Sequence, residues 1–348
     1  MPRRKHDWPA VALALAERIP QDRLHPRTVA WVEAHQRSRR PWAVAFSGGA
    51  DSLALLLLVW AHWPERRAKL LALHFNHRLR GRAAVGDAQF SGKVAGGLGV
   101  KIRVGRWENP PASPNEAQAR TARLHFFAEE LKRSRAAALW FGHQQDDVAE
   151  TLLMRLARGS GTAGLAAPRP VQGRPDGADT LRPLLTLPKV LIAEALREAG
   201  AEWREDESNQ SARHFRNRLR NSVIPGWVTA AGRDALAGAA LSRERLEEDD
   251  DALEQWLTQL DAVEPDGALN LTALAGKPVA LWRRALHRWL LGQPRANDLS
   301  RHGFDDLLSK LRAGVTTRFS LGADGFARIR AGRLRFETRA RNRVGRPR

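Results

Sequence analysis

The chain has 348 residues, with 57 Lys and Arg against 38 Asp and Glu, a net charge of +19 and no cysteine. That length supports two domains, or one large domain with an appendage. The missing cysteine excludes disulfides, Cys-ligated zinc or iron–sulfur clusters, and any thiol or persulfide step within these residues. No run reaches the roughly 18–20 apolar residues of a membrane span, and no signal-peptide core follows the basic Met1–Lys5 start. A soluble, cytoplasmic protein with a polyanionic partner, nucleic acid first, is therefore expected.

In chain order, residues 1–40 carry a helical pattern around Thr28 to His35 and a basic run, Arg37 to Arg40, and read as an extension beside the core. Pro41 to Phe46 reads as a short buried strand, and the apolar run Leu53 to Trp60 opens a helix. Leu70 to Phe75 and Val100 to Val104 read as further strands, and Asn115 to Lys132 as an amphipathic helix. Ala137 to Phe141 is a fourth strand, and Asp147 to Arg158 a helix with Val148, Leu152 and Leu156 on one face. This alternation predicts an α/β fold: a doubly wound, mostly parallel sheet with helices on both faces, its ligand at the C-terminal edge of the strands.

The Pro- and Gly-rich stretch 166–188 reads as a surface excursion. Lys189 to Ala199 resumes a helix, and Arg213 to Val223 is a short basic helix stopped by Pro225. From about Gly226 the alternation ends. Arg243 to Leu260 is a helix whose acidic block, Glu247 to Asp251, reads as a solvated face or helix N-terminal charge. Val279 to Leu291 repeats Trp282, Leu286, Trp289 and Leu290 at helical spacing, a core stripe rather than a base-stacking platform. Thr317 to Leu321, Phe326 to Ile329 and Arg333 to Glu337 alternate with period two and read as short strands. From Arg328 to Arg348 there are nine arginines and one acid, an Arg-rich arm. The expected organisation is a helical extension (1–40), an α/β catalytic domain (41–225), a smaller helical domain (226–315), and short strands with the Arg-rich tail (316–348).

The most informative residues are Ser47, Gly48, Gly49, Ala50, Asp51 and Ser52. A strand, a Gly-Gly turn flanked by hydroxyls, then a helix N-terminus is a device for holding phosphate: glycines let the backbone come close, and free N–H groups face the anion. No Lys follows the glycines, so this is not a Walker A loop. It suits a loop that holds departing pyrophosphate while Asp51 positions Mg²⁺ and the α-phosphate is attacked. Gly159 to Gly164 matches G-x-G-x-x-G literally, but a helical pattern precedes it and a Pro-containing stretch follows, so a dinucleotide site is rejected.

Four polar clusters join the loop: HFNHRLRG (74–81), NEAQAR (115–120), GHQQDDVAETLLMRLARGSGTAGL (142–165) and DESN (206–209) with RNRLRNSVIP (216–225). Beside a pyrophosphate loop on one sheet edge they form an active-site rim. SGGADS resembles the loop of PP-loop ATP pyrophosphatases. The ordered set, with RPLL (182–185), resembles the tRNA(Ile)-lysidine synthetase family over roughly residues 41–225, with a helical part after it that is similar in layout to that family's substrate-binding domain.

The resemblance implies the following chemistry. ATP adenylates the C2 carbonyl oxygen of the wobble cytidine in an isoleucine tRNA with a CAU anticodon. The ε-amine of free L-lysine then attacks C2, AMP leaves, and lysidine remains. Ser47 to Ser52 would hold the phosphates, with Asp51 near Mg²⁺. Asp147 and Glu150, three apart on one helix face, would bind and help deprotonate lysine, and His143 would assist proton transfer. Arg120 and an arginine of the 216–220 run, Arg216 or Arg218, would stabilise charge on the phosphate and oxyanion. Gln144 stands where the family usually has a second His, and the C-terminal region is short for the family's longer members. The resemblance allows a homodimer. The alternatives are another PP-loop tRNA-modifying enzyme, or a non-catalytic RNA-binding protein on this fold.

Overall fold

The computed structural model describes residues 6–79, 81–111, 114–174, 177–205, 215–293, 299–322 and 325–338. They fall in two compact units, Met1–Glu247 and Glu248–Arg348.

In the first unit, α1 (Trp8–Arg18) and α2 (Pro26–Ala34) precede the first strand, β1 (Trp42–Ala45). There follow α3 (Ala50–His62), β2 (Leu70–Asn76), α4 (Arg82–Gly97), β3 (Lys101–Arg106), α5 (Glu116–Ser134), β4 (Ala138–Trp140) and α6 (Gln145–Leu156). After the short α7 (Thr162–Leu165) come β5 (Val171–Gln172), β6 (Asp179–Leu181), α8 (Lys189–Glu198), α9 (Phe215–Arg218) and α10 (Ile224–Ala231). The six strands form one sheet in the order β3-β2-β1-β4-β6-β5. All its pairings are parallel except β5 with β6. This is the doubly wound α/β sheet that the alternation predicts.

Period-two alternation explains burial on both faces. Trp42, Val44 and Ala72 enter one core with Leu15, Trp31, Leu53 and Ile192, whereas Ala43, Leu71, Leu73 and Leu139 enter another with Phe127 and Leu131 of α5. Every residue of α3 from Leu53 to Trp60 is buried, so this helix is apolar all round and lies inside the unit. The residues before β1 are more than an extension beside the core. Trp8, Leu15, Ile19, Trp31 and Val32 belong to the main core, and α1 packs along α3.

Three further local expectations are corrected. Residues 166–188 are not a surface excursion: β6 sits between β4 and β5, and Leu181, Leu184, Leu185 and Leu187 are buried. The two short parallel pairings to β4 need no long strand, so Pro and Gly flanks do not exclude one. Pro225 does not stop the helix begun at Phe215. A π-helical turn, Leu219–Val223, closed by the Ile224 N–H on the Leu219 carbonyl, precedes it, and the helix continues through Pro225 into α10; such a wide turn is a place where the i→i−4 ladder is already interrupted. The acidic block is not simply solvated, because Glu247 and Asp250 are each only 2% exposed. Glu247 is paired with Arg27 and Arg243, and Asp250 with Arg284.

Helix α11 (Ala235–Gln259) runs through the boundary between the units. In the second unit β7 (Leu269–Asn270), α12 (Val279–Leu291), α13 (Arg301–Arg312), β8 (Thr317–Ser320), β9 (Gly325–Arg330) and β10 (Arg333–Thr338) build an antiparallel sheet, β7-β10-β9-β8, with helices. Trp282, Leu286, Trp289 and Leu290 are buried in its core with Leu307, Ile329 and Leu334, the core stripe their spacing predicts. No helix among the described residues is long and apolar enough to cross a membrane.

Candidate active site

The chain turns from β1 to β2 and β3 on one side, then returns to β4 on the other, so the switch point lies between β1 and β4. In a doubly wound sheet the ligand crevice opens there, beyond the strand C-termini. The Ser47–Ser52 loop leaves β1 at this point. Gly48 has φ +93°, a conformation that a side chain would strain. Ser52 Oγ donates to the Gly49 carbonyl at 3.0 Å and accepts from Ser47 N–H at 3.2 Å, while Gly49 N–H donates to Ser47 Oγ at 3.3 Å. The hydroxyls thus fix the loop shape. Gly49 caps α3 without a side chain, and Ala50 and Asp51 open its first turn. Arg204 holds the loop from outside: its backbone N–H donates to the Gly48 carbonyl at 3.0 Å, and its Nε to Asp87 at 3.0 Å.

The β4 end comes very close to this loop. A Cβ on Gly142 would lie 2.6 Å from the Asp51 carbonyl oxygen, so glycine is required for the end of β4 to approach the first turn of α3 this closely. Asp51 is crowded. Burial first, and the neighbouring Asp147 charge second, raise its carboxyl to about 6, while Lys189 and Arg220 oppose the shift. Its Oδ1 is buried without a hydrogen-bond partner among the described residues, a donor free to meet a cation.

Gln144 caps α6, accepting from Asp146 N–H, while Asp147 Oδ2 accepts from Gln144 N–H at 3.0 Å. The position where the family's second His is expected therefore serves a capping box. Asp147 Oδ1 accepts from Arg216 Nη2 at 2.5 Å, and Glu150 accepts from Arg216 Nε at 2.5 Å and Arg220 Nε at 2.6 Å. Glu150 is fully buried and Asp147 nearly so. Two carboxylates and two guanidiniums make a closed, charge-balanced cluster, and burial of the arginines is outweighed by the acids, which raise both.

His143 stacks on Phe141, with centroids 5.4 Å apart, and its Nδ1 accepts from Arg182 Nε at 3.2 Å. Burial, then Arg182, Arg216, Arg120 and Arg123, hold it well below the usual histidine range. Arg120 is exposed near the start of α5. Arg123, one turn on, has a buried Nε without a partner among the described residues, and burial and Arg120 lower its pKa.

The structure thus gathers Ser47 to Ser52, Asp147, Glu150, Arg216, His143 and the charge of Arg120 around the switch point. Arg218 is exposed, with its guanidinium 5.8 Å from the Phe215 ring centroid. Arg220, four residues after Arg216, shares its helix face instead. Other motif residues serve the fold. Asn115 and Gln118 form the capping box of α5. His74 Nδ1 lies 3.0 Å from the Phe46 carbonyl oxygen, and Asn76 Nδ2 donates to the Ala84 carbonyl. Arg182, Arg123 and Lys189 are additions that the sequence reading did not assign. Arg182 stands in the quoted RPLL, Arg123 lies one turn from Arg120, and Lys189 heads α8 with its N–H on Asp146. Residues 206–214, including DESN, and the tail beyond 338 lie outside the described residues.

Comparison with known proteins identifies the family and the fold. The profile of the PP-loop domain family matches residues 24–227. The tRNA(Ile)-lysidine synthase of Rhodopseudomonas palustris is 36% identical over 271 residues, 75% of this chain and 75% of that protein. The chain belongs to the tRNA(Ile)-lysidine synthase family. The protein of that name from Solibacter usitatus is 40% identical over 53% of this chain, but the match spans only 40% of its own length. For the Enterococcus faecalis protein the figures are 39% identity and 39% of its length. Against those two members the chain spans about two fifths of the relative. A U34-tRNA thiolase from Methanococcus maripaludis, solved with its [4Fe-4S] cluster, shares the fold at a TM-score of 0.51 and 17% identity, over 63% of this chain and 80% of that one.

Proposed function

We propose that this chain joins free L-lysine to C2 of the wobble cytidine in an isoleucine tRNA with a CAU anticodon, using ATP and giving lysidine, AMP and pyrophosphate. The observation that carries the reading is the phosphate loop meeting the buried Asp147–Glu150–Arg216–Arg220 cluster at the switch point. In the first step the cytidine O2 attacks the α-phosphorus and pyrophosphate leaves. Gly48, Gly49 and the first N–H groups of α3 face the phosphates, and Arg120, Arg123 and Lys189 supply positive charge that the loop lacks. The orphaned Oδ1 of Asp51 suits a hard divalent cation. Asp51 would hold Mg²⁺, which when bound neutralises phosphate charge.

In the second step Asp147 or Glu150 takes a proton from the lysine ammonium, the neutral ε-amine attacks C2, the C2–O2 bond breaks, and AMP leaves with that oxygen. Asp147 and Glu150 are the carboxylates that bind the incoming ammonium. The ammonium would exchange for the Arg220 contact to Asp147, which at 3.8 Å is the longest in the cluster. The Arg220 Nη2, released from Asp147 while its Nε stays on Glu150, is then available to the departing phosphate. The helical residues after Gly226, with exposed arginines such as Arg283, Arg312 and Arg330, bind the tRNA. A sulfur-transfer reaction like that of the structural neighbour's name finds no thiol in these 348 residues.

The test is AMP release. ATP turnover to AMP should require the CAU isoleucine tRNA, and Asp147→Asn should abolish lysine transfer while ATP binding persists. Unchanged lysine transfer in that variant would remove Asp147 from the site.

A further inference from the structure

The sequence gives His143 a general role in proton transfer; its surroundings specify the direction. Arginine has only donors, so the Arg182 Nε–H must point at a lone pair on His143 Nδ1, 3.2 Å away. The ring proton is then on Nε2, which makes no hydrogen bond among the described residues. Arg182 is itself fixed. Its Nη1 donates to the Arg169 carbonyl at 2.6 Å and its backbone N–H to the Pro170 carbonyl at 2.8 Å. The Phe141 ring lies under both His143 and the guanidinium, 5.9 Å from the latter.

We propose that Arg182 is a positioning residue: it locks His143 as the neutral Nε2–H tautomer, so that His143 serves as a hydrogen-bond donor to an oxygen and not as the base that takes the lysine proton. The charges around the ring agree. Arg182 from the end of β6, Arg120 and Arg123 from α5, and Arg216 from α9 all oppose an imidazolium. The acids of α6, Asp147 and Glu150, are already tied to Arg216 and Arg220. A base must accept a proton into that field, whereas a neutral N–H donor adds to an oxyanion site without acquiring charge. The oxygen is one of the phosphate or pyrimidine oxygens on which charge builds. That consequence rests on the proposed adenylation and lysine transfer; the tautomer does not.

The experiment is long-range ¹H–¹⁵N NMR of the full chain labelled in its 11 histidines, with His143→Gln to assign the signal. The wild type should show His143 as the Nε2–H tautomer and still neutral below the pH at which an ordinary histidine titrates. Arg182→Ala should give mixed tautomers, a His143 pKa raised toward the ordinary histidine value, and lysine transfer lowered roughly tenfold or more. Arg182→Gln, which keeps an N–H donor, should recover the tautomer and part of the rate. His143→Gln, a donor that cannot act as a base, should lose less activity than His143→Ala. A wild-type Nδ1–H tautomer, a titration near the ordinary histidine value, or spectra unmoved by a folded Arg182→Ala would overturn the positioning role. Equal loss in the two His143 variants would overturn the donor role. Absence of lysine transfer in the wild type would strike the proposed function, while the spectra would still decide the tautomer.

Discussion

Asp51 and His25 show how single buried groups link stability to pH with opposite signs. Asp51 is raised to about 6 from an ordinary 3.8. The fold therefore disfavours its ionisation, and stability is lost as pH rises from about 4 through 6. In metal-free protein at pH 7, Asp51→Asn should raise stability by about 1–3 kcal/mol while abolishing activity; thermal unfolding with and without chelator reads it, and a destabilised variant would contradict it. His25 is lowered to about 4, by burial first and by Arg243 and Arg27 next. Its Nδ1 caps α2 by accepting from Arg27 N–H at 3.2 Å, which a protonated ring cannot do. Its contribution is full above pH 6.5 and lost as pH falls toward 4, about 3 kcal/mol in all. His25→Asn keeps a cap acceptor and should flatten the acid limb of the stability curve.

Within the π-turned helix, Arg216 and Arg218 should separate. Arg216→Ala leaves Asp147 and Glu150 buried with one partner between them and should cost about 3 kcal/mol. Arg218→Ala, at an exposed position, should stay within about 0.5 kcal/mol. Urea unfolding distinguishes them, and equal costs would contradict the described cluster.

At the scale of elements, the close approach of the β4 end to the first turn of α3 rests on Gly142. Gly142→Ala should push the β4 end away from the first turn of α3 at a cost of roughly 1–3 kcal/mol and weaken ATP binding, measurable by calorimetry; unchanged binding would contradict the close approach. Most of the sheet was legible, because β1, β2 and β4 are apolar runs followed by turn or polar residues. Helix α4 was not. It carries Gly86, Gly92, Gly96 and Gly97, which oppose helix formation locally, and tertiary packing wins: Val94 and Ala95 are buried, and Gly97 leaves room for Trp8, whose Cδ1 would lie 2.5 Å from a Cβ there. Helix α1 has a sequence signal, Asp7 as N-cap with Pro9 in the first turn, that a search for amphipathic periodicity passes over.

Long-range pairing set the limit of the sequence reading of the site. The phosphate loop, His143, Asp147 and Glu150 stand in contiguous motifs. Arg182 and Arg123 matter through what they face, and no spacing rule links residue 182 to residue 143. The acidic block likewise looked solvated because Arg27 and Arg169, its partners at Glu247, lie far away in sequence.

Over the whole molecule, the net charge of +19 makes the proposed tRNA binding a matter of salt. With about five phosphates neutralised, log K against log salt should fall with a slope of roughly −4. A flat response in filter binding between 50 and 200 mM salt, the span over which such contacts act, would contradict a basic tRNA-binding surface.

The central claim is tested most directly by lysine incorporation. Purified protein is mixed with ATP, Mg²⁺, labelled lysine and unmodified isoleucine tRNA with a CAU anticodon, with methionine tRNA of the same anticodon as control. The account predicts label in the isoleucine tRNA, matched by AMP release, and little in the control. AMP release with no label in that tRNA, or neither product, would contradict it.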